Sequence, residues 1–529
     1  MLREPCVEGR IRAAPEPPPE QKTHKNTVLA VAVLGSGMAF VDGTAVNVAL
    51  PVMQRELGAS VSEVQWIVEA YALFLAALLL VGGSLGDRFG RKRVYGVGVA
   101  VFAAASAWCG LAPDTGNLVL ARAVQGVGGA LLVPGSLALI GASFGSGERG
   151  RAIGTWSSLT AVAGGVGPVL GGLLVENLSW RWIFFLNLPL AAAVLLLLPR
   201  VPESRDPEAG RLDLPGALLA SLGLGGLAFG LTEASTRGMG DPLVVGATAL
   251  GLAALAGFAW AELRSRSPMV PPELFRSRTF TGANVLTLLL YTGLGAVVFF
   301  LPFNLIQVQG YSPSAAGAAL VPYTVLMFLL SRWTGGLVDR YGPRLPLVAG
   351  PLVAGAGTAM LVLPGVGGSY WTTFFPGIVV MALGMTVAVA PLTTTVMGSV
   401  EQRRAGVASG INNAVSRTAM LLAVAVMGVV MAGVFRPALR AGLDGAGLDP
   451  AARRAVEAQA DRLAAAEIPP GLDPRERAAV QMALDEAFVA GFRWVALLAA
   501  GLAVAGAGSA ALLVEGGVAG RGNSTWRAE

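Results

Sequence analysis

The sequence predicts an all-α membrane protein of about fourteen transmembrane helices, built as two six-helix pseudo-symmetric bundles with two further helices inserted between them. Three observations carry this. The first is composition: 54% of the 529 residues are hydrophobic and 13% are charged, against about 25% charged in a soluble domain, and mean hydropathy is +0.63. The second is length: the apolar residues fall in runs of about 20, enough to cross a bilayer as a helix. The third is a repeat. Gly83-Ser-Leu-Gly-Asp87-Arg88-Phe-Gly90-Arg91-Lys92-Arg93 closes one apolar run, and a weaker copy, Gly335-Gly-Leu-Val-Asp339-Arg340-Tyr-Gly342-Pro-Arg344, closes another. A Leu-Pro pair precedes each at similar spacing, Leu50-Pro51 before Asp87 and Leu301-Pro302 before Asp339. Repetition at the scale of half a membrane chain points to a transporter whose halves rock about a central site.

Along the chain, residues 1–26 are polar, rich in Pro and Glu and without an apolar core, which predicts a disordered cytoplasmic tail rather than a signal peptide. Spans are predicted at 27–50, 64–84, 94–112, 117–143, 152–175 and 181–199, an N-terminal six-helix bundle over 27–199. Residues 200–279 hold basic linkers and the two inserted helices, at 213–234 and 242–262. The C-terminal bundle, 280–515, has spans at 280–304, 316–338, 346–363, 371–398, 406–434 and 488–515, with a cytoplasmic tail at 516–529. The repeat identifies the inserted pair, because its copies follow the second and the tenth span. Within the last bundle, residues 436–487 form a long extracytoplasmic loop with two helix-start signals, Asp449-Pro450 and Asp473-Pro474. They predict a helical hairpin, either a solvated connector or a lid over the exit.

An even number of spans places both ends on one side. In the short loops, seventeen Lys and Arg between Arg88 and Arg404 fall on that side, and only Arg55, Arg181 and Arg237 on the other. The positive-inside rule makes both termini cytoplasmic. The preference for Ala, Gly and Arg over Lys points to a GC-rich bacterium, hence a multi-pass protein of the bacterial cytoplasmic membrane. The net charge of +5 is scattered through loops, so nucleic acid is not an expected partner. Cys6 and Cys109 lie in a polar tail and an apolar run, which excludes a disulfide framework. His24 is the only histidine, so no His-based metal site or relay is expected. No Gly-x-x-x-x-Gly-Lys-Ser/Thr cradle occurs, and no cofactor is expected: energy must come from an ion gradient or a partner. No nucleophile–base constellation argues for an enzyme. A monomer is expected.

Charges within a span are costly and mark function. Asp42 lies in span 1, Glu69 in span 2 and Arg122 in span 4. At about 1.5 Å rise per residue all three sit in the outer half at similar heights. Burial disfavours a carboxylate's charge and a neighbouring guanidinium favours it, a combination suited to taking up a proton outside and releasing it inside. The bland alternative is a fixed ion pair that holds helices together, and Glu69 could instead bind a cationic substrate or face headgroups. At the repeated turns, Asp87 with Arg88 and Arg91, and Asp339 with Arg340, form a candidate cytoplasmic gate, closing by ion pairs across the halves. Basic loops alone would be topology, but Asp87 adds nothing to that rule. Span 5 carries Gly164-Gly-Val-Gly167-Pro168-Val-Leu-Gly171-Gly172, with Gly154 upstream, a hinge or seal if not a plain packing face. Candidate cavity-wall groups are Asn47, Asn284, Asn304, Gln307, Asn412, Asn413 and Arg417, although Asn and Gln also stitch helices.

Together these residues resemble the major facilitator superfamily and, within it, the fourteen-span drug:proton antiporters of the EmrB/QacA type, over nearly the whole chain from about residue 27. Val41-Asp42-Gly43-Thr44-Ala45-Val46-Asn47-Val48-Ala49-Leu50-Pro51 is similar to that group's span 1 motif. The Gly83–Lys92 loop resembles the superfamily's gate motif, and Leu118-x-x-x-Arg122-x-x-Gln125-Gly126 the span 4 motif assigned to proton transfer. Gly154 with Gly167-Pro168-x-x-Gly171-Gly172 resembles the motif of antiporters rather than uptake carriers. The chain departs from the pattern at Ala163, Arg332-Trp333, Pro343 and the Asn412-to-Met420 stretch, where Arg417 is kept. The resemblance implies the major facilitator fold and a proton-coupled efflux antiporter. It would export hydrophobic or amphipathic, cationic drugs or antibiotics by alternating access, with the lipid bilayer, a drug-like molecule and protons as its partners. The rivals are a dedicated exporter of an endogenous metabolite, lipid or siderophore, an uptake symporter, and a transporter-like receptor.

Overall fold

The computed structural model describes residues 20–205, 213–265, 268, 270–401, 405–445 and 447–516. Most of the two expected tails, and Arg211, Arg266, Arg403 and Arg404 of the basic loops, lie outside these. Among the described residues all regular structure is helical, the form in which a chain crossing lipid satisfies its own backbone N–H and C=O groups. The N-terminal helices are α1 (Glu20–Leu57), α2 (Val61–Phe89), α3 (Arg91–Leu111), α4 (Thr115–Ser143), α5 (Ser146–Asn177) and the broken pair α6 (Arg181–Phe185) and α7 (Asn187–Leu197). Next come α8 (Leu214–Arg237) and α9 (Pro242–Arg264). The C-terminal helices are α10 (Arg278–Phe303), α11 (Pro313–Ala318), α12 (Val321–Thr334), α13 (Leu337–Tyr341), α14 (Arg344–Met360), α15 (Phe374–Gly398), α16 (Ala405–Asp444), α17 (Pro450–Glu457) and α18 (Pro474–Leu513). Among the described residues 13 helical stretches are long and apolar enough to cross a membrane. The fourteenth expected span is α14, 17 residues long, at the short end of the crossing range of about 17–25 residues.

Local chemistry fixes the boundaries. Ser60 and Glu63 form a reciprocal capping box at the start of α2, satisfying two of the backbone donors that a helix N-terminus leaves open. Asp114 caps α4, and Asp213 and Asp241 cap α8 and α9, each of the latter with a Pro in the first turn. The two signature turns end alike: Gly90 has φ 110° and Gly342 φ 74°, backbone that a side chain would strain. The repeat in sequence is thus a repeat of one reversal between helices.

The far end of α1 meets the far end of α10, where Gln307 Nε2 donates to Gln54 Oε1 at 2.9 Å. The near end of α10 meets the last turns of α18, where Ser509 Oγ donates to the Gly282 carbonyl at 2.9 Å. The start of α1 and the end of α18 therefore share one face, as an even number of spans requires. Among the described residues, hydrogen bonds between the N- and C-terminal helices lie toward the opposite, far face. Besides Gln54–Gln307, Gln65 Nε2 donates to the Val424 carbonyl at 3.1 Å, and the Ser314 N–H to Glu176 Oε2 at 3.1 Å. Small residues make this closure possible. Across it Gly172 lies against Pro313 and Gly317 against the Pro168 carbonyl, while Gly167 and Gly171, within the N-terminal set, hold α5 against Thr44 and Ala45 of α1. Toward the terminus-bearing face, Leu159 and Val162 of α5 and Val325 and Leu329 of α12 are exposed. α8 packs beside α2 and α16, at the flank of the junction, with α9 outside it.

The 436–487 stretch differs from a separate hairpin. α16 continues to Asp444 and α18 begins at Pro474, so both are membrane helices prolonged beyond the bilayer. Asp449 and Asp473 do cap helices, α17 and α18. The reason is an unbroken apolar stripe: Leu439, Leu443, Val480, Ala483 and Leu484 are buried and hold the extensions together. Between them the chain crosses to the far end of α1, where Gln54 Nε2 donates to the Arg462 carbonyl at 3.1 Å. Leu463, buried, has φ 55°, a strained conformation for a branched residue.

The packing of α5 on α1 makes a contrast testable. A Cβ on Gly171 would lie 2.7 Å from the Ala45 carbonyl oxygen, whereas Gly154 has nothing within 4 Å. Gly171→Ala is expected to destabilise by about 1–3 kcal/mol through overpacking, read as a lower Tm in detergent, with Gly154→Ala unchanged.

Candidate functional site

Asp42 is fully buried in α1. Its Oδ2 accepts from Arg122 Nη1 at 2.6 Å, and its Oδ1 from Gln125 Nε2 at 2.9 Å and Asn187 Nδ2 at 3.0 Å. Arg122, 1% exposed, spends its other donors on the Ile67 carbonyl (2.9 Å) and Gln125 Oε1 (2.6 Å). Its guanidinium lies 4.3 Å from the centroid of Tyr71, a cation–π contact. Ser106 Oγ closes the net, accepting from Gln125 at 2.8 Å and Asn187 at 3.2 Å. Side chains of α1, α3, α4 and α7 and a carbonyl of α2 thus converge on one carboxylate, the full pairing that a charge without water needs.

Glu69 stands apart from this net. It is fully buried at the contact of α2 with α8, where Thr232 Oγ1 donates to its Oε2 at 2.6 Å. Its Oε1 has no hydrogen-bond partner among the described residues. A cavity of about 70 Å³, continuous with open space, lies between the two sets of helices. Its walls include Asn47, Glu69, Tyr71 and Arg122 from the N-terminal set and Gly295, Phe299, Arg417 and Leu421 from the C-terminal set. A mostly apolar chamber with a few directed polar groups is what a small-molecule site requires.

The remaining candidates divide by place. Asn47 and Arg417 are on the cavity wall. Asn412 donates to Asn284 (3.1 Å) and Thr287 (2.7 Å), and with Asn413 it lines a separate polar pocket beside Tyr291 and Ser409, nearer the terminus-bearing face. Asn304 and Gln307 are not on the cavity wall. A π turn, Asn304–Val308, carries α10 past it, so Gln307 serves the far-face junction and Asn304 accepts from Gln309 at 3.1 Å.

Pro168 and Gly172 sit in the seam and Gly167 and Gly171 pack on α1, while Gly154 has nothing within 4 Å. Among the described residues the gate residues make no ion pair across the halves. Asp87 pairs with Arg91 at 2.8 Å, Arg88 stacks on Phe89, and Arg340 on Tyr341. Glu203, after α7, ties this turn down by accepting from the Lys92 N–H at 3.0 Å. The physical reason is separation: the halves touch at the other end. Ser106 and Asn187 escaped the sequence reading, and Gln125 was seen only within a motif. Their signal was weak, because uncharged polar residues in apolar runs show neither depth nor direction.

Many bilayer crossings, two helix sets about a shared cavity and a satisfied buried ion pair beside it define a membrane transporter. The Major Facilitator Superfamily model matches residues 32–435, and the chain belongs to that family; it is a transporter and not an enzyme. It is 38% identical to a puromycin resistance protein of Streptomyces alboniger over 412 residues, 77% of this chain and 81% of that one. It is 34% identical to the multidrug resistance protein Stp of Mycobacterium tuberculosis over 486 residues, 90% of each chain. A tetracenomycin C resistance and export protein of Streptomyces glaucescens is 36% identical, over 77% of this chain and 76% of that one. In fold it is similar to a bacterial homolog of the human lysosomal transporter Spinster, solved in an inward-facing and unoccupied conformation. The TM-score is 0.62 at 19% identity, covering 93% of this chain and 98% of that one.

Removing one spoke of the net tests its worth. Asn187→Ala deletes a hydrogen bond to a charged carboxylate, and the expected loss is about 1.5–3 kcal/mol, seen as a lower Tm with membrane insertion retained.

Proposed function

We propose that this transporter is a proton-coupled antiporter that exports hydrophobic or amphipathic drug-like compounds across the bacterial cytoplasmic membrane. The observation that carries the coupling is the buried Asp42–Arg122 pair, 2.6 Å apart, with Arg122 reaching the cavity wall. Relatives named for antibiotic resistance and export support the direction and the cargo. The Arg-rich loops put the terminus-bearing face in the cytoplasm, so the state described here is open inward.

In that state substrate binds the form that has given up its proton, with Arg122, Gln125 and Asn187 holding the Asp42 carboxylate. Substrate enters from the cytoplasm or the inner leaflet and fills the cavity. The N-terminal bundle, 27–199, then rocks against the C-terminal bundle, 280–515, with the 200–279 helices bridging their flank. The Gln54–Gln307 and Gln65–Val424 contacts part, the glycine seam opens, and the cytoplasmic turns at Asp87, Arg88 and Arg91 close on those at Asp339 and Arg340. From outside, Asp42 takes a proton, its hold on Arg122 weakens, and substrate leaves; the return stroke delivers the proton inside. Glu69 is a second proton-carrying group. A proton drives this cycle only because it binds the two states unequally. Site and seam are complete within one chain, so a monomer suffices, and nucleic acid has no part in the cycle.

Asp42→Asn keeps the shape of the side chain and removes its proton chemistry. In proteoliposomes with a pH gradient and a fluorescent drug, the variant is expected to insert, with a lower Tm because Arg122 loses its counter-charge, and to lose both drug-driven proton flux and gradient-driven drug movement. Coupled flux at the wild-type rate would overturn the proposal.

A further inference from the structure

Two arginines line the central cavity, and they differ in pairing. Arg122 is matched by Asp42 at 2.6 Å. Arg417 of α16 has neither an ion pair nor a hydrogen bond among the described residues; its guanidinium lies 5.7 Å over the ring of Phe40. A guanidinium carries five N–H donors in a planar fork that fits a carboxylate bidentately, and within a membrane bundle an unmatched one is costly. In the N-terminal part of the same wall is Glu69, fully buried, with one carboxyl oxygen unpartnered. Glu69 and Arg417 are not ion-paired with each other. Apolar groups such as Val46, Leu75, Val298 and Phe299 line the rest.

We propose that this cavity is a site for amphoteric molecules. An acidic group, a carboxylate or an ionised phenol, is received by Arg417; an ammonium or other cationic or hydrogen-bond-donating group is received by the free oxygen of Glu69. The aromatic or aliphatic body lies on the apolar wall between. A simple cation would satisfy Glu69 but add its charge to an unmatched Arg417, and a simple anion would leave Glu69 unmet. Because the two groups belong to opposite sets of helices, one molecule of this kind ties the sets together across the cavity. This rests on the cavity being the export site, and it narrows the cargo from amphipathic compounds at large to those with both signs of charge.

The test is equilibrium binding in lipid nanodiscs without a gradient, using a rhodamine with a free benzoate and the ethyl ester of the same dye. The wild type is expected to bind the acid about tenfold more tightly than the ester, the scale of one charge-assisted hydrogen bond. Arg417→Gln should abolish the preference, weakening the acid and leaving the ester no weaker, because the cationic ester no longer meets an unmatched guanidinium. Arg417→Lys should restore most of the preference, and Glu69→Gln should weaken both cationic dyes alike. An acid that binds no tighter than its ester, or an Arg417→Gln variant that loses both dyes equally, overturns the proposal; the wild-type comparison decides even if a variant fails to fold. Acid-selective binding without gradient-driven export would instead overturn the export reading alone.

Discussion

A carboxylate and a guanidinium 2.6 Å apart, both shut away from water, set the terms for the N-terminal helices. Such a pair is a poor source of stability, because desolvation offsets most of the attraction, yet losing one partner is strongly destabilising. The protein meets that demand by aiming side chains of four helices and a carbonyl of a fifth at the pair. Gln125 both donates to Asp42 and accepts from Arg122, so it can hold either partner when the other changes charge. A net built this way carries a chargeable group in the membrane while leaving it open to a proton.

The closure of the far face is made of different material. It consists of glycines against backbone, three hydrogen bonds between the two sets of helices, and the Leu463 segment laid against α1. No ion pair crosses the seam among the described residues. Contacts of this kind are close-packed but individually weak, and they can part without exposing a charge to lipid. The opposite face has strong charges held within each half, Asp87 by Arg91 and the turn by Glu203. The two ends of the molecule thus differ in what must be broken to move.

The sequence made the fold legible because membrane helices are read from length and hydropathy, and the inserted pair because the Asp-Arg-aromatic-Gly turn occurs twice. Asp42 and Arg122 stood out since charges are rare in apolar runs. Asn187 and Ser106 did not, because their partners depend on helix rotation, which hydropathy does not encode. Asn304 and Gln307 were misplaced for a related reason: a π turn prolongs α10, and no residue marks it. The 436–487 stretch showed its helix starts at Asp449 and Asp473 but not that the second belongs to the last membrane helix. The gate ion pairs depend on which face is open, and a sequence carries every conformational state at once.

The most direct measurement is proton release on substrate binding, by calorimetry of the purified transporter in buffers of different ionisation enthalpy at one pH. If substrate and proton compete through Asp42, the wild type releases protons as drug binds and Asp42→Asn does not, though both bind. Equal release from both proteins, or none from either, would contradict a coupling centred on that carboxylate.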